Sequence, residues 1–203
     1  MAHAYHHGNL RRTLLDTALA LFAERGAFDF TLRELARAAG VTHSAPYRHF
    51  AGKAELLEAL RAEGFAALAV AAGSALSLAG EDPRRKVRAL GDAYLRFAIR
   101  EPHRFRLMLH NPLESTEDPV AGQGTAFAIL RETLEEARQA GVVRRDLSAR
   151  ELALAAWALV HGLASLMVAG QIPADDARVR RYGRLLETTF FEGVGVDVPR
   201  GRS

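Results

Sequence analysis

Apolar residues recur at three- and four-residue intervals along almost the whole chain, and no stretch alternates apolar with polar long enough to make a strand. Each such stripe has to be covered by another helix, so the pattern confines the chain to an all-α fold of about nine helices. Leu14, Ala18, Leu21 and Phe22 mark a first helix over roughly residues 9–25, stopped by Gly26. Thr31 and Glu34 have the spacing of a capping box and open a second helix, with Leu32, Leu35, Ala36 and Ala39 on its inner face and Gly40 at its end. Thr42 is placed to cap a short third helix reaching about Phe50. Pro46 has no N–H to give to a helix interior, so it must lie in the first turn of that helix.

Downstream the punctuation is equally local. A long helix is expected from about Lys53 to Ala79, with Gly64 and Gly73 as places where it can bend. Asp82-Pro83 starts the next helix, Glu101-Pro102 breaks it, and a brief helix carries Phe105 to Leu109. After a polar loop at Asn111–Pro119, a helix runs to Ala140 and stops at Gly141. Ser148 with Glu151 forms a second capping box, and a last helix spans about 175–192 before a loose tail from Val194.

Charge is distributed unevenly. Residues 1–53 carry Arg11, Arg12, Arg25, Arg33, Arg37, Arg48 and Lys53 against Asp16, Glu24, Asp29 and Glu34, which accounts for the whole formal net charge of +3. Five of the eight histidines (His3, His6, His7, His43, His49) lie in the same segment. Such an end suits an acidic partner such as DNA phosphates, although a solvated basic face has the same composition. There is no Cys, so disulfides and thiolate chemistry are excluded. His and Asn rather than an apolar run follow Met1, so no secretory leader is expected, and the chain reads as cytoplasmic. Leu152–Gly170 is uncharged for 19 residues. However, it holds His161, is rich in Ala and Gly, and has Glu151, Asp175 and Asp176 close by, so a buried helix is expected and not a membrane span.

Two short helices joined through Gly40-Val41-Thr42 have the form of a helix-turn-helix, in which Gly supplies positive φ and Val41 can plug the corner. The second helix of such a unit presents its N-terminal side chains to base edges in the major groove. Here these are Thr42, His43, Ser44 and Ala45, followed by Tyr47, Arg48 and His49, which can hold phosphates. An ordinary helical corner needs no more than the Gly and the Thr.

The wider arrangement favours the DNA-binding reading. TLRELARAAGVTHSAPYRHFAGKAELLEAL (31–60) resembles the DNA-binding domain of the TetR family of repressors, and YHHGNLRRTLLDTALALFAERG (5–26) resembles that family's first helix. Trp157 and His161-Gly162 are similar to the Trp…His-Gly signature of one TetR-type C-terminal regulatory domain. The resemblance implies a three-helix helix-turn-helix domain over 1–52 and a helical ligand-binding and dimerisation domain over 53–203. It implies that Thr31 and Arg33 meet phosphates, Thr42, His43, Ser44 and Ala45 face bases or nearby phosphates, Tyr47 and His49 brace the sugar-phosphate backbone, Phe50 joins the core, and Lys53 clamps a phosphate. A cation at a helix N-terminus opposes the macrodipole unless an anion sits there, which supports the last role separately. Ala51-Gly52, where the family usually has polar caps, and Pro46 depart from the pattern.

The regulatory half holds Tyr94, Phe97, Phe105, Met108, Phe127, Trp157 and Met167, each of which core packing would also explain. Trp157 and His161 are four residues apart on one helix face, so an indole and an imidazole stand together there. With Phe97, Phe105, Met108 and Phe127 they are the expected lining for a small, largely apolar effector. His161 as a buried histidine bonded to a carbonyl remains the alternative. His3, His6 and His7 lack the rigid surroundings of a metal site, and His103 and His110 have no carboxylate at ligand spacing between them, so no metal, cofactor or catalytic activity is expected. Leu152, Leu159, Leu163, Leu166, Leu185, Leu186, Phe190 and Phe191 on the last two helices exceed what one layer hides, which points to a homodimer through a four-helix bundle. The reading is a ligand-responsive repressor on a palindromic operator in double-stranded DNA. An activator would differ only in promoter position, and a helical ligand-binding protein of the same fold would lack specific DNA contact.

Overall fold

The helix starts expected at Thr31, Asp82 and Ser148 and the stops expected at Gly26, Gly40 and Gly141 are where the backbone turns. The computed structural model describes residues 10–109 and 124–194. Its helices are α1 (Leu10–Arg25), α2 (Leu32–Ala38), α3 (Lys53–Ala79), α4 (Pro83–Arg100), α5 (Pro102–Leu109), α6 (Gly124–Gln139), α7 (Ala149–Val168) and α8 (Asp176–Val194). No strand occurs among the described residues. Thr31 caps α2 by accepting the Glu34 N–H at 3.2 Å, while the Glu34 carboxylate accepts the Thr31 N–H at 2.7 Å. Ser148 and Glu151 repeat the arrangement at α7, and the Asp82 side chain accepts the Arg84 N–H ahead of Pro83 at α4.

The expected third helix is instead a single 3-10 turn over Pro46–Arg48. Pro46 cannot donate to the Thr42 carbonyl, so the α ladder is not closed there. The bonds that form run three residues back: Ala45 N–H to Thr42 O, Arg48 N–H to Ala45 O, and His49 N–H to Pro46 O. Thr42 therefore caps no helix, and its hydroxyl lies 3.5 Å from that of Ser44.

The described residues divide into two compact units. Residues 10–64 with 103–109 form the first, so α5 belongs with α1, α2, the 3-10 turn and the first half of α3. Its core joins Leu14, Leu15 and Ala18 of α1, Phe30, Leu32 and Leu35 at α2, Phe50 after the 3-10 turn, Leu56 and Leu60 of α3, and Leu107 of α5. Within it, a Cβ on Gly64 would meet Met108 Cγ at 2.5 Å, so the bare backbone of α3 at Gly64 is what seats the Met108 side chain.

Residues 65–102 with 124–194 form the second unit, in which α4, α6, α7 and α8 pack together. Phe127, Leu134, Ala137, Val143, Leu152, Ala153, Phe190 and Phe191 make up its core. Phe190, expected on an outer face, is instead buried within the chain, as are Leu152, Leu163 and Phe191. Leu159, Leu166 and Leu185 do face outward, at 36%, 41% and 56% exposure. By length and composition α3 and α7 would each reach across a bilayer, but Leu152, Ala153, Leu163, Ala164 and Met167 of α7 are buried inside the second unit.

Candidate functional site

The angle between α2 and the 3-10 turn is set by the last residues of α2. Gly40 has φ +69°, and its N–H bonds to Arg37 O at 3.1 Å. The Val41 N–H reaches back to Ala36 O at 2.9 Å. This pair of bonds closes the helix end and reverses the chain, at a φ that only Gly adopts without strain. Val41 packs against the first core, and Phe50 and Pro46 are buried on the far side of the turn. What remains outside is polar: Thr42, His43 and Ser44 before the 3-10 turn, and Tyr47, Arg48 and His49 within and after it, are all exposed. Ala45 is not. It is buried, because the turn that brings Pro46 inward brings Ala45 with it, so it has no surface to offer a base.

Thr31 and Arg33 are exposed at the start of α2. Arg37 shares that face one turn later, a position missed in the sequence reading although its four-residue spacing from Arg33 signals it. Arg25 pairs with Asp29 at 3.4 Å and with Glu34 at 3.6 Å. Bonds from the Thr31 backbone and hydroxyl, with Arg25 adding to them, hold the Glu34 carboxyl below its usual range. The missing polar cap at Ala51-Gly52 is supplied from the other direction. Glu55, in the first turn of α3, accepts the Ala51 N–H at 2.6 Å. The Lys53 ammonium donates to the Phe28 carbonyl and lies 5.3 Å above the Phe30 ring.

In the second unit, Trp157 and His161 do stand together, their ring centroids 5.3 Å apart. Two further groups join them. The Trp157 indole N–H donates to the Tyr94 hydroxyl at 3.3 Å, and that hydroxyl lies 2.9 Å from His161 Nδ1. An indole only donates, so the Tyr94 oxygen accepts from it, while the phenol also bonds His161 Nδ1 in a pair where either atom can be the donor. The other ring nitrogen, Nε2, faces Ser165 Oγ at 3.3 Å. Tyr94 is 67 residues from His161 and had no local signal for this role, whereas Ser165 repeats the four-residue step from Trp157 to His161. Phe97 and Phe127 are buried in this unit, while Phe105 and Met108 are buried on α5 in the first.

Burial pushes the Tyr94 phenol up to about 12 and the His161 imidazole down. The sign for stability follows from proton uptake. As pH falls through the ordinary imidazole range, the unfolded chain binds a proton at this position before the folded one does, so stability falls. Denaturant unfolding at pH 7.5 and 5.5 should therefore show a larger acid loss for the native chain than for His161→Gln. An equal loss in both would mean that His161 titrates as it does in the unfolded chain.

Among the described residues no group of three or more His, Asp or Glu is placed to hold a metal ion. His3, His6, His7 and His110 lie outside the described residues.

Two family models match the chain: one described as bacterial regulatory proteins, tetR family, over residues 14–60, and one described as the tetracyclin repressor-like C-terminal domain, over residues 87–189. The chain is 48% identical over 52 residues to the HTH-type transcriptional regulator SrpR of Pseudomonas putida, covering 26% of this chain and 24% of the relative. It is 44% identical over 50 residues to the HTH-type transcriptional repressor KstR2 of Mycobacterium tuberculosis, covering 25% of each. It thus spans about a quarter of the length of these curated relatives. A solved structure of a protein of unknown function from Rhodococcus sp. RHA1 superposes with a TM-score of 0.80 at 32% identity, over 96% of this chain and all of the other.

Proposed function

The chain belongs to the TetR family of bacterial regulatory proteins, and from that premise we propose that it is a cytoplasmic, homodimeric repressor that leaves a palindromic operator when a small, largely apolar effector binds. The observation that carries the DNA half is the Gly40 turn, which puts Thr42, His43, Ser44, Tyr47, Arg48 and His49 on one exposed segment. Thr31 and Arg33 at α2, with Lys53 at α3, supply phosphate contacts beside it. In this reading DNA contact is confined to residues 1–52 and Lys53, and the remainder serves effector binding and assembly. The name of KstR2, a repressor similar over the same N-terminal segment, favours repression.

The effector half rests on Trp157, His161, Phe97 and Phe127, with Tyr94 and Ser165 completing the polar line. Such a set accepts an apolar body and fixes one polar group. The reading requires no metal, cofactor or membrane. An effector acts only through its different affinity for the DNA-bound and DNA-free dimers, and a coupling of about 1–3 kcal/mol weakens operator binding roughly 5–150-fold.

In vitro selection from random duplexes is the decisive experiment. It should return an imperfect palindrome with half-sites about one helical turn apart. Affinity should fall by about 10³–10⁵ between 50 and 200 mM salt if 6–10 phosphates are contacted. Equal affinity for selected and scrambled duplexes would exclude this function.

A further inference from the structure

Lys53 has a partner that its expected role does not explain. It is the first residue of α3, yet its ammonium bonds to the Phe28 carbonyl in the loop between α1 and α2, 25 residues earlier. That loop is also held by its rings. Phe28 stacks on Phe22 of α1 with centroids 4.1 Å apart and planes at 11°, and its edge meets Phe30 at 6.2 Å. Phe22 in turn meets His103 of α5 edge-on at 6.4 Å. The Lys53 ammonium thus both donates to a carbonyl and lies over the buried ring of Phe30, a geometry that favours a cation twice.

The loop leads directly into Thr31 and Arg33. α2 has seven residues, too few to hold its own axis, so its direction is set by what fastens its ends. At the C-terminal end this is the Gly40 turn. At the N-terminal end it is the Thr31–Glu34 box and the Phe28–Phe30 loop.

We propose that Lys53 is a positioning residue for the DNA-facing end of α2. Through the Phe28 carbonyl it fixes the loop, and through the loop it sets where Thr31 and Arg33 stand. An ammonium carries three N–H donors, so bonding Phe28 leaves two for a phosphate, and the same side chain joins the loop to the DNA backbone. This rests on the DNA-binding reading above, but the loop tie exists before any DNA is present, so the two can be tested apart.

The test is hydrogen exchange on the full chain without DNA, followed by operator titration. Lys53→Ala should speed exchange of the Glu34 and Leu35 amides roughly tenfold, the size expected for losing one charge-assisted bond, and leave residues 152–168 unchanged. Lys53→Gln keeps a side-chain N–H and loses the charge. It should restore slow exchange at Glu34 and Leu35 while still lowering the salt slope of operator binding by about 0.9, one phosphate's worth. Lys53→Met, with similar bulk and no donor, should behave as Lys53→Ala in exchange, and it replaces that variant if Ala prevents folding. Native exchange rates in Lys53→Ala or Lys53→Met, with only the salt slope reduced, would show a phosphate contact and nothing more. Fast exchange in Lys53→Gln equal to that in Lys53→Met would also overturn the proposal. A chain that selects no palindrome yet shows the exchange pattern would keep the loop tie and refute the DNA reading.

Discussion

Leu166→Arg is expected to convert the proposed dimer to a folded monomer and to weaken operator binding at least about 100-fold. Leu166 lies with Ala155, Ala158, Leu159 and Gly162 on the outward face of α7, a face free of charge along that length, and Leu185 is likewise exposed on α8. These side chains are exposed in the single chain, so an arginine there costs the monomer little and disrupts only a surface that must be dried in the dimer. The loss on DNA follows from geometry. Two linked readers gain about 10²–10⁴ over one, and a monomer forfeits that factor even with every contact of its own half-site intact. Sedimentation and operator titration of the same sample check both parts. A dimer that persists with arginine at residue 166 would place the interface elsewhere.

The second large effect concerns the first unit. Leu35→Ala should cost about 2–5 kcal/mol, the range for emptying a fully buried leucine site. Leu35 is completely enclosed, and with Leu32 and Ala36 it is nearly all that the short α2 contributes to its core. A domain-sized stability is itself only about 5–15 kcal/mol, so this change removes much of what keeps the DNA-facing half folded. The second unit has its own core around Leu134 and Leu152 and should retain its helices. Circular dichroism melting should show an early transition in the variant, with operator binding lost below the native melting range. A shift under about 1 kcal/mol would mean that α2 is held by its caps and not by its buried face.

Features written within four residues of one another are legible in the sequence. The boxes at Thr31–Glu34 and Ser148–Glu151, the reversal at Gly40 and the contact of Trp157 with His161 all depend on spacing along one helix or turn. Pro46 was readable in principle too. Its missing N–H argued against a long third helix, and the consequence is a 3-10 turn in place of the expected short α-helix. What escaped was long-range. No periodicity connects Lys53 to Phe28 or Tyr94 to His161, and nothing local says that α5 packs with the N-terminal helices, which is why the sequence pattern groups Phe105 and Met108 with aromatics that belong to the second unit. Helix faces were ambiguous for a similar reason. Phe190 and Leu185 both belong to an amphipathic α8, and only the packing of neighbouring helices shows that one is core and the other surface.

The 3-10 turn also limits how much sequence the protein can read. A 3-10 backbone advances about 2.0 Å per residue against about 1.5 Å for an α-helix, so fewer side chains fall within each base-pair step of about 3.4 Å. Its three-residue repeat stacks side chains in line and does not fan them around a cylinder, which narrows the strip of groove that they sweep. With Ala45 turned inward, the proposed DNA reading leaves base discrimination to a handful of small and imidazole side chains centred on His43 and Ser44. The information content of each half-site should therefore be low and concentrated in two or three adjacent base pairs. A family of divergent operators, graded in strength, would be within reach of one unchanged protein.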